Sequence, residues 1–367
     1  MPREFPFGSG SSLGLALGAT AAIILSGCSG ELTRPAPITA PQSPRAQAAL
    51  TAPVADYTRL PLPTGEFGCG RANDVNNGGV VGGNVFVCGP SFVSRAALWI
   101  NRDLVVLPAL APNGSSNVLA VGDDGTAVGF ATDADGVARA TAWRNGVLIP
   151  LPGGESSTAA DIHGGVIVGS IVSGGVRIPA MWVHDQLITE ALPAGFVGAR
   201  FNSIAMGVVA GTGLNPINGI VRSVRAFRWF GPGQYQLLDL PSDAATVALG
   251  QVNDFQMVVG VVTGLGGSYS VYWPGGSTSP VTVPLPDGFI RSDLRAINDW
   301  GWLGGSLTAV GAIPVVSPAI YVTGHNAWFR LPNDDIFGTV FGLNDRREIV
   351  GTFSLTSPQP GLWEPNS

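Results

Sequence analysis

Residues 74–83 read DVNNGGVVGG. An apolar residue and an asparagine lead into a tight polar turn, and a short apolar run closed by glycine follows. The design returns as AVGDDGTAVG (120–129), ADIHGGVIVG (160–169), NSIAMGVVAG (202–211), QVNDFQMVVG (251–260), AINDWGWLGG (296–305) and GLNDRREIVG (342–351). Asn-Asp, Asp-Asp-Gly and Asn-Asn-Gly-Gly accept left-handed backbone angles and close a hairpin. The apolar runs after them are too short for a buried helix and fit sandwiched strands.

A second element ends in an aromatic residue: RAALW (95–99), RATAW (139–143), IPAMW (178–182), RAFRW (225–229), YSVYW (269–273), SPAIY (317–321) and PGLW (360–363). From Trp99 to Trp363 there are six intervals averaging 44 residues, within the range of four-stranded propeller blades. Large aromatic side chains suit the wedge between blades. The expected fold is therefore all-β: a seven-bladed β-propeller over 56–367, with four short antiparallel strands per blade.

A third element is a strand ending in Leu-Pro, as in ADYTRLPLPTG (55–65). Six further Leu-Pro dipeptides follow at 107–108, 151–152, 192–193, 240–241, 285–286 and 331–332. Asn145-Gly146 stands between the Trp143 run and the next Leu-Pro strand, a strong hairpin signal, so the two strands share a blade. After Trp363 only Glu-Pro-Asn-Ser remains, and the last blade lacks its outer strand. The first copy, at about 58–63, is expected to supply it and to close the ring by joining the chain ends.

These elements resemble the HAF-type extracellular repeat, with its apolar-Asn-x-x-Gly-x-Val-Val-Gly and later Ala-Phe-x-Trp. Arg95, Arg139 and Arg225 stand where that family has the histidine of His-Ala-Phe. The resemblance implies a propeller fold and export, and no activity.

The N-terminus reads as a targeting segment. Residues 13–25, LGLALGATAAIIL, form an apolar run of 13, too short to span a bilayer. It ends in Leu25-Ser26-Gly27-Cys28, which resembles the bacterial lipobox. The resemblance implies a signal peptide at 1–27, a lipid on Cys28, and, with Ser29 rather than Asp next, the outer membrane. Residues 28–55 hold five prolines and no aromatic residue, and read as a tether.

Composition excludes several chemistries. The chain has 52 glycines, and all 19 basic residues are arginine. Without lysine there is no Schiff base and no P-loop lysine. A net charge of −6 offers nucleic acid no basic surface. Three histidines (His163, His184 and His325) are scattered over separate turns, so neither metal nor cofactor is expected. Asp133-Ala134-Asp135-Gly136 lacks the later ligands of a calcium loop and reads as a turn. Cys69 and Cys88 lie nearly symmetrically about the first hairpin, so a disulfide and two free buried thiols are both open, the disulfide being favoured in an exported chain.

Two departures from the repeat are the candidate contact residues. Trp300 and Trp302 replace turn and strand residues, suited to stacking on a sugar or anchoring a partner, with inter-blade packing as the alternative, above all for Trp302. The insertion GLNPINGIVRSVR (213–225) carries Arg222 and Arg225, with Arg228 close behind, for an acidic partner or simply as a solvated loop. No hydrolase or nucleotide motif is present. The expected function is a lipid-anchored, non-catalytic binding or scaffold module at the cell envelope, with an envelope protein or a carbohydrate as partner. A propeller hydrolase or lyase on extracellular polysaccharide, or an outer-membrane assembly scaffold, is the alternative. A central pocket with paired, unrepeated acids marks the enzyme, whereas a shallow apolar or aromatic face marks binding.

Overall fold

The computed structural model describes residues 57–366, apart from 90–92, 218–219, 310, 312–313, 334 and 355. The expected signal peptide, the tether and Cys28 lie outside the described residues. The described chain forms seven four-stranded antiparallel sheets. Their innermost strands are Gly68–Val75, Ser116–Val121, Ser156–His163, Gly198–Ala205, Ala244–Val252, Phe289–Ile297 and Gly338–Leu343, which number the blades 1 to 7. Each packs against the next, and that of blade 7 packs against that of blade 1, so the sheets close into a ring around a central channel.

In blades 1 to 6 the strands run outward in chain order. In blade 7 the outermost strand is Tyr57–Pro61, from the other end of the chain. It pairs with Gln359–Pro365, from Tyr57 opposite Pro365 to Pro61 opposite Gly361. The first Leu-Pro copy therefore completes the last blade, as its sequence position requires. Cys69 and Cys88 form a disulfide with a Cα separation of 5.3 Å, joining the first two strands of blade 1.

The Leu-Pro element works as a latch between blades. Trp99 Nε1 donates to the Pro63 carbonyl, Trp143 to Pro108, Trp182 to Pro152, Trp273 to Asp239 and Trp363 to Pro332, at 2.7 to 2.9 Å. All five indoles are fully buried between blades. In blades 4 and 6 the donor moves one strand outward. Tyr235, opposite Trp229, donates its hydroxyl to Ala191, and Trp328, opposite Tyr321, donates to Pro284. Every blade thus donates an indole or phenol hydrogen to the blade before it. A tryptophan satisfies its one polar atom here while burying a large apolar ring.

This latch corrects the sequence phase in three blades. The residues equivalent to Leu62-Pro63 are Glu190-Ala191, Leu238-Asp239 and Val283-Pro284, because their N–H groups bond the neighbouring strand as Leu62 and Leu107 do. The dipeptides Leu192-Pro193, Leu240-Pro241 and Leu285-Pro286 lie two residues further on. The latch needs a carbonyl and a buried side chain, and proline is not required for either.

Candidate functional site

Every innermost strand slips register near its turn, at Ala72/Asp74, Val118/Ala120, Ala159/Asp161, Phe201/Ser203, Leu249/Val252, Leu294/Ala296 and Val340/Gly342. A bulge re-aims a side chain. At this place blades 1 to 7 carry Asp74, Ala120, Asp161, Ser203, Gln251, Ala296 and Gly342. The four polar ones reach the next blade. Asp74 Oδ2 accepts the Val121 N–H at 2.8 Å, and Asp161 Oδ2 accepts the Ser203 hydroxyl at 2.6 Å and the Ile204 N–H at 2.9 Å. Ser203 Oγ accepts the Val252 N–H and Gln251 Oε1 the Ile297 N–H, both at 3.1 Å. Gln251 and Asp74 line the same cavity, and Gln251 is near enough to oppose the rise of the Asp74 pKa, so side chains from blades 1 and 5 approach each other across the channel.

Above this level lie the turns. In blades 1, 2, 5, 6 and 7 the turn spans five residues between paired positions such as Val75 and Val81. In four of these the first residue is asparagine, and its Oδ1 accepts two backbone N–H groups of its own turn. Its Nδ2 donates to the next blade: Asn253 to Asn298 O, Asn298 to Asn344 O, Asn344 to Asn76 O and Asn76 to Gly122 O, at 2.8 to 3.1 Å. The second turn residue returns a bond. Asp299 accepts the Asp254 N–H, Asp345 that of Asp299, Asn77 that of Asp345 and Asp123 that of Asn77. A belt of side-chain bonds thus runs through blades 5, 6, 7, 1 and 2.

Blades 3 and 4 differ. Their turns are two residues long, Gly164-Gly165 and Met206-Gly207, all with positive φ. Type I′ hairpins favour glycine or asparagine there. Met206, at φ 42° and 67% exposed, violates both backbone and solvent preference.

The turns and bulges of all seven blades line a cavity of about 350 Å³ at the channel mouth. Asp123, Asp254, Asp299 and Asp345 rim it, with Asp74, Asp161, Ser203 and Gln251 below. Burial pushes the Asp74 carboxyl up to about 7, and the Asp161 charge adds to this, against the N–H groups it accepts. Burial also raises Asp161, despite the bonds from Ser203 and Ile204. Asp299 is pushed up to about 7 by burial and then by Asp345 and Asp254. Among the described residues no three His, Cys, Asp or Glu side chains group as metal ligands.

The sequence candidates fall in different places. Trp300 is half-buried at the mouth, with Nε1 donating to the Asp345 carbonyl of blade 7 at 2.8 Å. Trp302 is 2% exposed and packs between blades 6 and 7 with Ile349 and Trp363, so it is a core residue closed to any ligand. Arg225 pairs with Gly213 near the end of blade 4 remote from the turns, so it shares no site with Trp300. The Arg222 side chain lies outside the described residues. The insertion is no solvated loop: it lengthens a hairpin of two ten-residue strands, Val208–Ile217 and Ile220–Trp229.

Arg228 is also corrected. It is fully buried and donates to the carbonyls of Gln256, Trp273, Pro274 and Ser277 in blade 5, which leaves nothing for an acidic partner. His163 lines the mouth, whereas His184 has positive φ at a turn between outer strands. Asp133 Oδ1 accepts two N–H groups of its own turn, in keeping with a hairpin rather than a calcium loop.

The sequence reading missed Asp74, Asp161 and Gln251, and with them Met206 and Phe255. A signal was present. Aligning the seven copies puts Asp, Ala, Asp, Ser, Gln, Ala and Gly in one column, a mixed set, where the column after it is apolar in every copy.

No family model and no curated protein matches the chain. Solved propellers do. The β-propeller domain of the Trilobed protease from Pyrococcus furiosus, which has an open velcro topology, is 9% identical over 81% of this chain and 94% of that one, with a TM-score of 0.53. A catalytically inactive virginiamycin B lyase from Staphylococcus aureus with quinupristin is 12% identical over 84% and 99%, with a TM-score of 0.52. TolB from Acinetobacter baumannii is 12% identical over 74% of this chain, which spans 65% of that one, with a TM-score of 0.48. At these identities the likeness is one of fold: the chain is a seven-bladed β-propeller.

Proposed function

We propose that the protein is an exported, lipid-anchored propeller that serves as a non-catalytic binding or scaffold module at the cell envelope, with the channel mouth as its binding face. One observation carries this reading: five of the six acids at the mouth, Asp74, Asp123, Asp161, Asp299 and Asp345, already accept a backbone N–H of a neighbouring blade. They stand around a ring as structural acceptors, and a general base needs a free lone pair aimed at substrate. The lipobox-like Leu25-Ser26-Gly27-Cys28 and the proline-rich tether support the anchor, and the HAF-like copies support export. The outer membrane follows from Ser29 by the same resemblance.

Two experiments test it. Cys28→Ala is expected to release the protein from the membrane fraction, and unchanged fractionation removes the anchor. Envelope extract passed over wild type and Trp300→Ala, beside a glycan array, is expected to yield a partner or glycan that the variant loses. Capture of an outer-membrane protein favours the assembly scaffold.

The hydrolase or lyase reading keeps one specific support. Asp74 and Asp161, unrepeated acids, face the floor of one cavity, and Asp74 titrates near 7, suited to a general acid. Loss of polysaccharide cleavage in Asp74→Asn supports that reading, and absence of product from wild type on a polysaccharide panel rejects it.

A further inference from the structure

We infer that the channel mouth takes a protein segment in which an arginine or lysine is flanked by apolar side chains. This rests on the binding reading above and names its ligand class. Three consecutive blades carry an apolar residue in the turn at this mouth, outside the residues that line the cavity itself: Met206 in blade 4, Phe255 in blade 5 and Trp300 in blade 6. None is needed by its turn. Met206 stands at φ 42°, where glycine or asparagine costs less, and is 67% exposed. Phe255 is 41% exposed, while its turn is closed by Asn253 Oδ1 and by Gln256 at φ 63°. Trp300 is held by its bond to the Asp345 carbonyl, so little side-chain entropy remains to be lost on binding.

Inside this apolar arc the cavity is acidic. Asp123, Asp254, Asp299 and Asp345 line it; Arg346, at the turn position of blade 7 equivalent to Phe255 and Trp300, is engaged by the Asn77 carbonyl and by Glu348. Burial and mutual repulsion hold Asp299 above the usual carboxylate range, so a cation at the mouth relieves a charge the fold itself crowds. A guanidinium or ammonium complements the rim, and its apolar neighbours fall on Met206, Phe255 and Trp300. A sugar fits less well. The indole N–H of Trp300 is already bonded to the Asp345 carbonyl, so this ring offers a sugar hydroxyl no donor.

The test uses the whole mature protein and three labelled synthetic peptides, read by fluorescence polarisation. One has an arginine between leucine and phenylalanine residues, one has glutamate in its place, and one has serine for the apolar residues. The first is expected to bind at least about tenfold more tightly than either control. Met206→Asn, which suits the left-handed turn and should fold at least as well, and Phe255→Ser are each expected to weaken it several-fold. Raising salt should weaken it further. Equal binding of all three peptides, or none, overturns the inference. A partner or glycan captured by wild type and lost in Trp300→Ala then leaves the binding reading standing alone, and capture of neither sinks both.

Discussion

The five blades 5, 6, 7, 1 and 2 are joined at the mouth by neutral, repeated bonds, from an asparagine amide to the carbonyl of the next turn. The three remaining junctions use charge. Arg144 of blade 2 donates twice to Asp185 of blade 3, at 2.8 Å each. Asp161 of blade 3 accepts from Ser203 and Ile204 of blade 4. Arg228 of blade 4 donates to four carbonyls of blade 5. Where the asparagine bond is lost, blade-specific charged side chains hold the seam without it, whereas at the blade 1–2 junction Asp74 makes such a contact beside the asparagine bond. The repeated acids of the rim are therefore structural by their repetition, and the individual residues of the shorter turns are free to be different.

The contrast is open to direct attack. Arg228→Met is expected to cost most, about 3–5 kcal/mol, because four carbonyls, one fully buried and three part-buried, lose the donor that a fully buried guanidinium supplies. Urea denaturation showing less than 1 kcal/mol would falsify its role as the blade 4–5 junction. Asn298→Ala removes the acceptor for two turn N–H groups and the donor to blade 7, for about 2–3 kcal/mol. His163→Ala, at the equivalent place in a short turn, should stay within about 0.5 kcal/mol. Similar losses from both substitutions erase the distinction between the two kinds of turn.

Acid–base behaviour gives a smaller signal. Folding raises Asp74 from 3.8 to about 7, so between these values the folded chain holds a proton that the unfolded chain has released. Stability contributed by this group falls as pH rises through that window and is level above it. Melting temperatures at pH 5 and pH 8 should differ less in Asp74→Asn than in wild type, by on the order of 2 kcal/mol in stability. An identical pH profile refutes a protonated Asp74. Arg144→Ala is also small: its ion pair is one-third exposed, so the loss should be about 1 kcal/mol or less and should fade with added salt. A salt-independent loss would place the contribution in packing instead.

Much of this fold is legible because it is local. DVNNGGVVGG and its relatives carry the turn and the strand within ten residues, and Asn145-Gly146 sets the phase by the conformation it favours. The site is less legible, since Asp74, Asp161 and Gln251 converge from blades 1, 3 and 5, and only a closed ring brings them together. Trp300 and Trp302 are two residues apart, yet one lies half-buried at the mouth and the other in the core, because Trp300 sits in the turn while Trp302 opens the strand Trp302–Ala309 that packs between blades.

By itself the sequence determined the number of blades and the strand that closes the ring, both set by periodicity and turn chemistry, while it left Cys69 and Cys88 open between a disulfide and two free thiols. Tertiary structure alone decided what happens between blades. It moved the latch donor to Tyr235 and Trp328, shifted the latch off three Leu-Pro dipeptides, buried Arg228 and gathered the acids at the mouth. Those contacts join residues about one blade or more apart, and which side chain meets which there depends on how the blades pack around the axis, a quantity no single repeat contains.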